Sequence, residues 1–297
     1  MGTAITISAT LARDMGLNFH FPRWDTEKDI SAQGKTALVL SAGGMFAAYQ
    51  AGAWKALASR LRADIVVGAS AGAINAWVIA AGVSPDELIS LWLDPTCRSL
   101  VAYRPFQPPW RGIVDCRPID AFLRELCERY RPRIEIGIVA TQIPRLRMRL
   151  FQNDEIDWRS MAASAAIPFV FRPVRIGGKL YADGGLLEAL PIWAAARMGA
   201  TRIVAINVLA YPPSRLAGWA VRAFRALAPR PPASPSGLQL SVIQPGGPLG
   251  RMRDALFWRR DAVERWILLG ERQAAQHFYL SPRDGGVYAS PPNDGIQ

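Results

Sequence analysis

Histidine occurs only twice in these 297 residues, at His20 and His277, and cysteine three times, at Cys97, Cys116 and Cys127. With no Cys-x-x-Cys pair and so few imidazoles, neither a disulfide framework nor a zinc site is expected, and a reducing compartment is the simpler setting. Lysine is scarce as well: Lys28, Lys35, Lys55 and Lys179 are all there are, so the net charge of +11 rests on arginine. That balance favours anionic partners such as phospholipid headgroups, nucleic acid or an acidic substrate. No basic cluster carries interleaved aromatics, which argues against nucleic acid. No stretch reaches the roughly 18 apolar residues of a membrane span. Met1 to Met15 lacks an apolar stretch adequate for a secretory signal. The expectation is a cytoplasmic protein or one lying peripherally on a membrane.

What is present is a globular composition, half of it hydrophobic, in a chain long enough to bury a full core. Residues 1–34 are weakly periodic and read as an N-terminal extension. Thr36 to Leu40 is a continuous apolar run, as in a parallel strand covered on both faces. Ser41-Ala42-Gly43-Gly44 follows as a loop, and Phe46, Tyr49, Ala53, Leu57 and Leu61 then recur at helical spacing. Ala63 to Val67 is a second buried strand. The unit is βαβ, so its two strands are expected to run parallel, with both loops at the strand ends where open α/β sheets place ligands.

Further along, Ser84-Pro85-Asp86-Glu87 is a capping box that opens a helix through Trp92. A Pro-rich surface loop is expected at 104–111, a helix at 119–130, and strands at 134–140 and 201–208. Between those strands a hairpin should turn at Gly177-Gly178. Residues 35–211 form the expected core, and 212–297 a basic helical C-terminal region. Within it, a helix presents Leu216, Trp219 and Leu227 on one side and Arg215, Arg222 and Arg225 on the other. A flexible Pro/Ser/Gly-rich loop at 229–247 and a helix from Arg251 to Gln276 follow. Between residues 214 and 283, eleven arginines face four acids.

Gly68-Ala69-Ser70-Ala71-Gly72 sits between the second strand and an apolar helix running to Ala81. Strand, Gly-x-Ser-x-Gly and helix read as a nucleophile elbow, a turn tight enough to expose the serine hydroxyl, the alternative being a Gly/Ala-rich turn that simply packs closely. A serine needs a base, and neither histidine lies in a strand-end loop of the core, although His277 could fold back. Asp183, in Tyr181-Ala182-Asp183-Gly184-Gly185, is a carboxylate on a tight turn. The alternative for Asp183 is a turn residue that bonds its own backbone. Ser164, ahead of Pro168, reads as a packing or bracing residue.

In combination these blocks resemble the patatin-like phospholipase family. Leu38 to Gly44 with Tyr49-Gln50-Ala51-Gly52 looks like its glycine-rich oxyanion block, and Gly68 to Gly72 like its nucleophile block. Ala163-Ser164-Ala165-Ala166-Ile167-Pro168 with Phe171-Arg172-Pro173, then Asp183-Gly184-Gly185, look like its last two. The resemblance spans residues 36–210 and implies a three-layer α/β/α fold with a mainly parallel sheet. It also implies a Ser–Asp dyad: Ser70 as nucleophile, Asp183 as base, and backbone N–H groups of Gly43, Gly44 and Met45 as the oxyanion hole. The implied substrate is a phospholipid or other acyl ester, cleaved through an acyl-enzyme with no metal or cofactor required.

One block departs from the family pattern. Three glycines, a variable residue, a basic residue and a glycine are usual; here stand Ala42, Gly43, Gly44, Met45, Phe46 and Ala47. The basic residue is missing, and an alanine would be strained wherever the loop needs a positive φ. That departure supports a rival expectation, a catalytically weakened relative that binds acyl chains or membrane lipid. A third reading is an esterase that uses His277.

Overall fold

The computed structural model describes residues 34–103, 112–211 and 238–279. The expected N-terminal extension, apart from its last residue, the Pro-rich loop expected at 104–111 and the expected helix with Trp219, Arg222 and Arg225 lie outside the described residues.

The first unit forms as its apolar pattern dictates. Strand β1 (Lys35–Leu40) leads through a short 3-10 turn (Gly44–Ala47) into helix α1 (Ala48–Leu57). Strand β2 (Ile65–Ala69) pairs parallel with β1, Leu40 opposite Gly68, and helix α2 (Ala71–Ala80) follows directly. The Gly43-Gly44 and Ser70 loops therefore leave neighbouring strands at the same edge. Helix α3 (Pro85–Leu93) starts as its capping box requires, Ser84 accepting the Glu87 N–H at 3.2 Å.

A small antiparallel pair, β3 (Ala102–Tyr103) and β4 (Val114–Asp115), precedes helix α4 (Arg117–Arg129). Strand β5 (Glu135–Ile143) turns back into β6 (Arg147–Gln152), and helix α5 (Trp158–Ser164) follows. The hairpin at Gly177-Gly178 joins β7 (Val174–Ile176) to β8 (Lys179–Ala182). Helix α6 (Ile192–Arg197) and strand β9 (Ala200–Ile206) come next, then β10 (Gln239–Ile243), α7 (Met252–Leu256) and α8 (Arg260–Tyr279).

Eight strands make one sheet in the order β10-β9-β1-β2-β5-β8-β7, with β6 also paired to β5. From β10 to β5 every pairing is parallel; β6, β8 and β7 join antiparallel. Successive side chains divide between two cores, as strand alternation requires. Leu38, Leu40 and Val66 face the layer of α1, α2 and α8, whereas Ala37, Val39, Ile65 and Val67 face α6 with its Trp193. The architecture is the expected α/β/α arrangement.

Two expectations about the C-terminal part need correction. The loop expected at 229–247 contains β10, because Leu240 and Val242 find an open parallel edge on β9. The helix expected from Arg251 to Gln276 is two helices, α7 ending at Leu256 and α8 beginning at Arg260. Both pack on the sheet-bearing body. Helix α8 crosses α1 so closely that a side chain at Gly52 would strike the Ile267 carbonyl, and one at Gly270 the Tyr49 carbonyl. Tyr49 Oη donates to Gln273 Oε1 at 2.8 Å across the same contact.

Trp266 of α8 is buried, stands edge-to-face on Phe46 with ring centroids 5.0 Å apart, and donates to the Leu249 carbonyl at 3.0 Å. Trp266→Ala should therefore lower unfolding free energy by about 3–5 kcal/mol, the usual range for removing a buried aromatic. Urea titration measures it; a loss below about 1 kcal/mol would mean that α8 does not bear on the core.

Candidate active site

Between β2 and α2 the chain reverses within one residue. Ser70 takes φ 55° and ψ −131°, a conformation that side chains rarely adopt and that costs about 1–3 kcal/mol. Its two flanking glycines are required by close approach. A Cβ on Gly68 would lie 2.3 Å from the Gly72 carbonyl oxygen, and one on Gly72 would lie 2.4 Å from that of Ser41. The strained turn is held from behind: the Ser70 N–H donates to Ser164 Oγ at 2.8 Å, and Ser164 Oγ donates to the Val139 carbonyl at 2.7 Å. Ser164 is the bracing residue that its place in the sequence suggests.

Asp183 arrives from the opposite direction. Strand β2 stops at Ala69, opposite Val139, whereas β5 continues to Ile143. Strand β8 occupies the edge of β5 that β2 leaves free, antiparallel, with Ala182 opposite Thr141. The end of β8 thus points at the end of β2, and the next residue is Asp183. A Cβ on Gly184 would lie 3.3 Å from Ala69 Cβ and 2.1 Å from the Val139 oxygen. The backbone of Asp183 is fixed on both sides, its N–H donating to Ala166 O at 2.8 Å and its carbonyl accepting from Thr141 Oγ1 at 2.9 Å.

The structure therefore brings Ser70 and Asp183 together, both almost fully buried. Asp183 Oδ1 accepts the Gly185 N–H at 2.7 Å, so the turn-residue reading of its carboxyl also holds. Its Oδ2 is buried and finds no well-formed hydrogen bond among the described residues. Burial pushes the acid up from 3.8 to about 6, opposed first by the nearby Ser70 hydroxyl and then by the Gly185 N–H. A carboxylate titrating near 6 is a far better base than one in water.

The glycine-rich loop completes the corner. Gly44 adopts φ +54°, and Phe46 N–H closes the 3-10 turn onto the Gly43 carbonyl at 3.2 Å. The preceding N–H groups, of Gly44 and Met45, have no partner within that turn. Both residues line the same cavity as Ser70, while Gly43 lies behind it with its Cα packed on Val208. Ala71, also on the cavity wall, begins α2 and adds an N–H at the positive end of that helix. Sequence reasoning passed over Ala71, although its place after the serine was the signal.

Neither Ala42 nor Ala47 adopts a positive φ, so the alanines bring no left-handed strain. The Ala42 N–H donates to Ala189 O at 2.7 Å, tying the loop to the chain just beyond the Asp-Gly-Gly turn. Phe46, at the position where the resemblance implies a basic residue, is buried against Trp266. Buried amides brace the loop from beneath. Gln50 Nε2 donates to Ser41 O at 2.7 Å, and Asn75 Nδ2 to Ala47 O at 3.0 Å and to Gln50 Oε1 at 2.9 Å. Trp92 Nε1 then donates to Asn75 Oδ1 at 2.8 Å.

Ser70 opens into a cavity of about 120 Å³, many times the 10–15 Å³ that one water needs. Its wall is mainly apolar, with Ile74, Val78, Leu91, Trp92, Phe122 and Phe171 prominent. His277 is elsewhere: its Nε2 lies 2.6 Å from Ser241 Oγ on β10, with β9 and β1 between that strand and β2. The reading in which His277 serves Ser70 is thereby overturned.

This corner lies within the span that comparison with known proteins matches. A family model described as patatin-like phospholipase matches residues 38–196, just over half of the chain. An uncharacterized NTE family protein of Mycobacterium tuberculosis (strain H37Rv) is 30% identical over 183 residues, which are 60% of this chain and 50% of that protein. An uncharacterized protein of Acanthamoeba polyphaga mimivirus is 27% identical over 188 residues, 56% of this chain and 63% of its own. Among solved structures, VipD from Legionella pneumophila superposes with a TM-score of 0.52 at 16% identity, over 91% of this chain and 72% of that one, a likeness of fold. The chain belongs to the patatin-like phospholipase family. It spans about half the length of the mycobacterial relatives it matches.

Asp183 should cost the protein stability. Its folded acid is raised, so the folded state binds the proton more tightly than the unfolded state. Stability from this group is full below about pH 4 and is lost as pH rises through about 6. Asp183→Asn, which keeps the bond to Gly185 and needs no charge, should melt higher than wild type at pH 8 by up to about 3 kcal/mol. The gap should close towards pH 4. Thermal melts across that range measure it, and a variant less stable than wild type at pH 8 would contradict a buried, poorly solvated carboxylate.

Proposed function

We propose that this chain is a serine acyl-ester hydrolase acting on phospholipids or other lipids through a Ser70–Asp183 dyad. The observation that carries the reading is the convergence of a strained serine on the wall of an apolar cavity and a buried carboxylate beside it. An acyl chain lying in that cavity would present its ester carbonyl to Ser70 Oγ. Asp183 takes the Ser70 proton as Oγ bonds to the carbonyl carbon, and the carbonyl π pair moves onto oxygen. The N–H groups of Gly44, Met45 and Ala71 would receive that oxyanion, a role supported by the place of these residues on the cavity wall with Ser70. Losing one such donor typically costs about 10²–10³ in rate.

Collapse of the tetrahedral intermediate breaks the carbon–oxygen bond to the alcohol, which leaves with the proton from Asp183. Water then attacks the acyl-enzyme, Asp183 accepting its proton and returning it to Ser70 as the fatty acid departs. Family membership supports the lipid substrate. The arginine-rich charge supports approach to an anionic membrane surface.

The test is covalent labelling by a fluorophosphonate, mapped by mass spectrometry. We expect a single adduct at Ser70, absent in Ser70→Ala, with ester turnover abolished in Ser70→Ala and Asp183→Asn. Because Asp183 must be ionised to act, kcat/KM should be flat above pH about 6 and fall tenfold per unit below it. Folded protein that takes no label at Ser70 would favour the acyl-binding relative instead.

A further inference from the structure

The wall of the cavity is apolar almost throughout, and among its described residues only Asp120 and Arg172 carry charge. Arg172 Nη2 donates to Asp120 Oδ2, and the two side chains differ in exposure, 51% for Arg172 against 12% for Asp120. The acid therefore stands inside and the guanidinium at the opening. Asp120 comes from α4, and Arg172 from the loop after α5 that also supplies Ala166 and Ile167 to the wall beside Ser70.

A half-exposed ion pair adds little to stability, yet this one is held with care. The loop is pinned where Val170 O accepts the N–H groups of Ile113 and Val114 at 3.0 and 3.1 Å. Gly112, at φ +80°, admits the Arg172 backbone so closely that a Cβ there would lie 2.8 Å from the Arg172 nitrogen. Three residues earlier Phe169 is 64% exposed at φ +66°, an aromatic that is both strained and wet, and Ile113 beside that loop is 41% exposed. An oriented guanidinium thus stands on the wall of an otherwise apolar cavity, which fits the junction of a hydrocarbon chain and an anionic headgroup.

We propose that Arg172, oriented by Asp120, binds the phosphate of the substrate headgroup and so selects anionic acyl esters over neutral ones. This deepens the hydrolase reading and rests on it. A guanidinium has five N–H donors in a planar fork. One is placed on Asp120 and the Cys116 thiol also lies against the guanidinium, and what is left of the half-exposed fork suits a phosphate. Asp120 keeps the fork from swinging away into solvent, so it acts as a positioning residue.

The experiment compares a lysophosphatidylglycerol with the monoacylglycerol of the same chain, below their aggregation concentrations. Substrates are paired with wild type, Arg172→Gln and Arg172→Lys. Wild type should favour the phosphate ester, and Arg172→Gln should lose about 10- to 100-fold in kcat/KM on it while staying within about threefold on the monoacylglycerol. Arg172→Lys retains the ion pair with Asp120, guards against a folding defect and should fall between, having charge without the fork. Equal losses on both esters, or none on either, would overturn the assignment. Calorimetric titration with dodecyl phosphate decides the site apart from turnover. Wild type should bind it at least tenfold more tightly than Arg172→Gln, and equal binding would refute the proposal. Wild type that cleaves neither ester would defeat the hydrolase reading, while the titration still judges Arg172.

Discussion

The site depends on a step in the sheet. Strand β5 continues past the end of β2, and β8 fills the step from the other direction. Two chain segments more than a hundred positions apart are thereby brought end to end, one finishing in Ser70 and the other in Asp183. The backbone does the aiming. Thr141, Ala166, Ser164 and Val139 each give or accept a bond that fixes one of the two ends. Neither side chain then has much freedom left to lose when it acts, which is the physical content of preorganisation.

The same step sets the electrostatics. Close packing of Gly184 on Val139 and Ala69, and of Gly185 on Ala42, leaves little room around the carboxyl. A carboxylate there is short of solvation, and its charge is tolerated because the rest of a well-packed body over-determines the position. The oxyanion loop is secured by different means. Gln50 and Asn75 hold it from below, and the C-terminal helices hold it from outside through Ala255 against Gly44 and Trp266 against Phe46. Phe46, where the resemblance implies a basic residue, thus gives this loop an aromatic contact with α8.

Much of this was legible in the sequence where the signal is local. A continuous apolar run followed by Gly-x-Ser-x-Gly and an apolar helix admits few structures, and β1, β2 and α2 follow it closely. Ser84 and the Gly177-Gly178 turn were equally plain, since capping and turn chemistry act over three or four residues. Long-range pairing was not legible from spacing: the meeting of Asp183 with Ser70 came from family resemblance alone. Strand β10 carries a short period-two signal, Leu238, Leu240 and Val242, but it was hidden by the Pro-, Ser- and Gly-rich residues on either side of it. Asn75 left a faint trace as a lone amide in an otherwise apolar helix, yet its partners Gln50, Ala47 and Trp92 are set by packing. Phe46 read as a core residue and is one, but its partner Trp266 stands more than two hundred positions away.

The central claim is that one carboxyl group, at Asp183, is kept from water beside the Ser70 hydroxyl. Infrared difference titration of wild type against Asp183→Asn observes that group directly, through the carbonyl stretch of its protonated form. The account predicts a band that disappears with a midpoint near pH 6. A midpoint at or below the ordinary carboxylate value of about 4 would describe a solvated acid and contradict it.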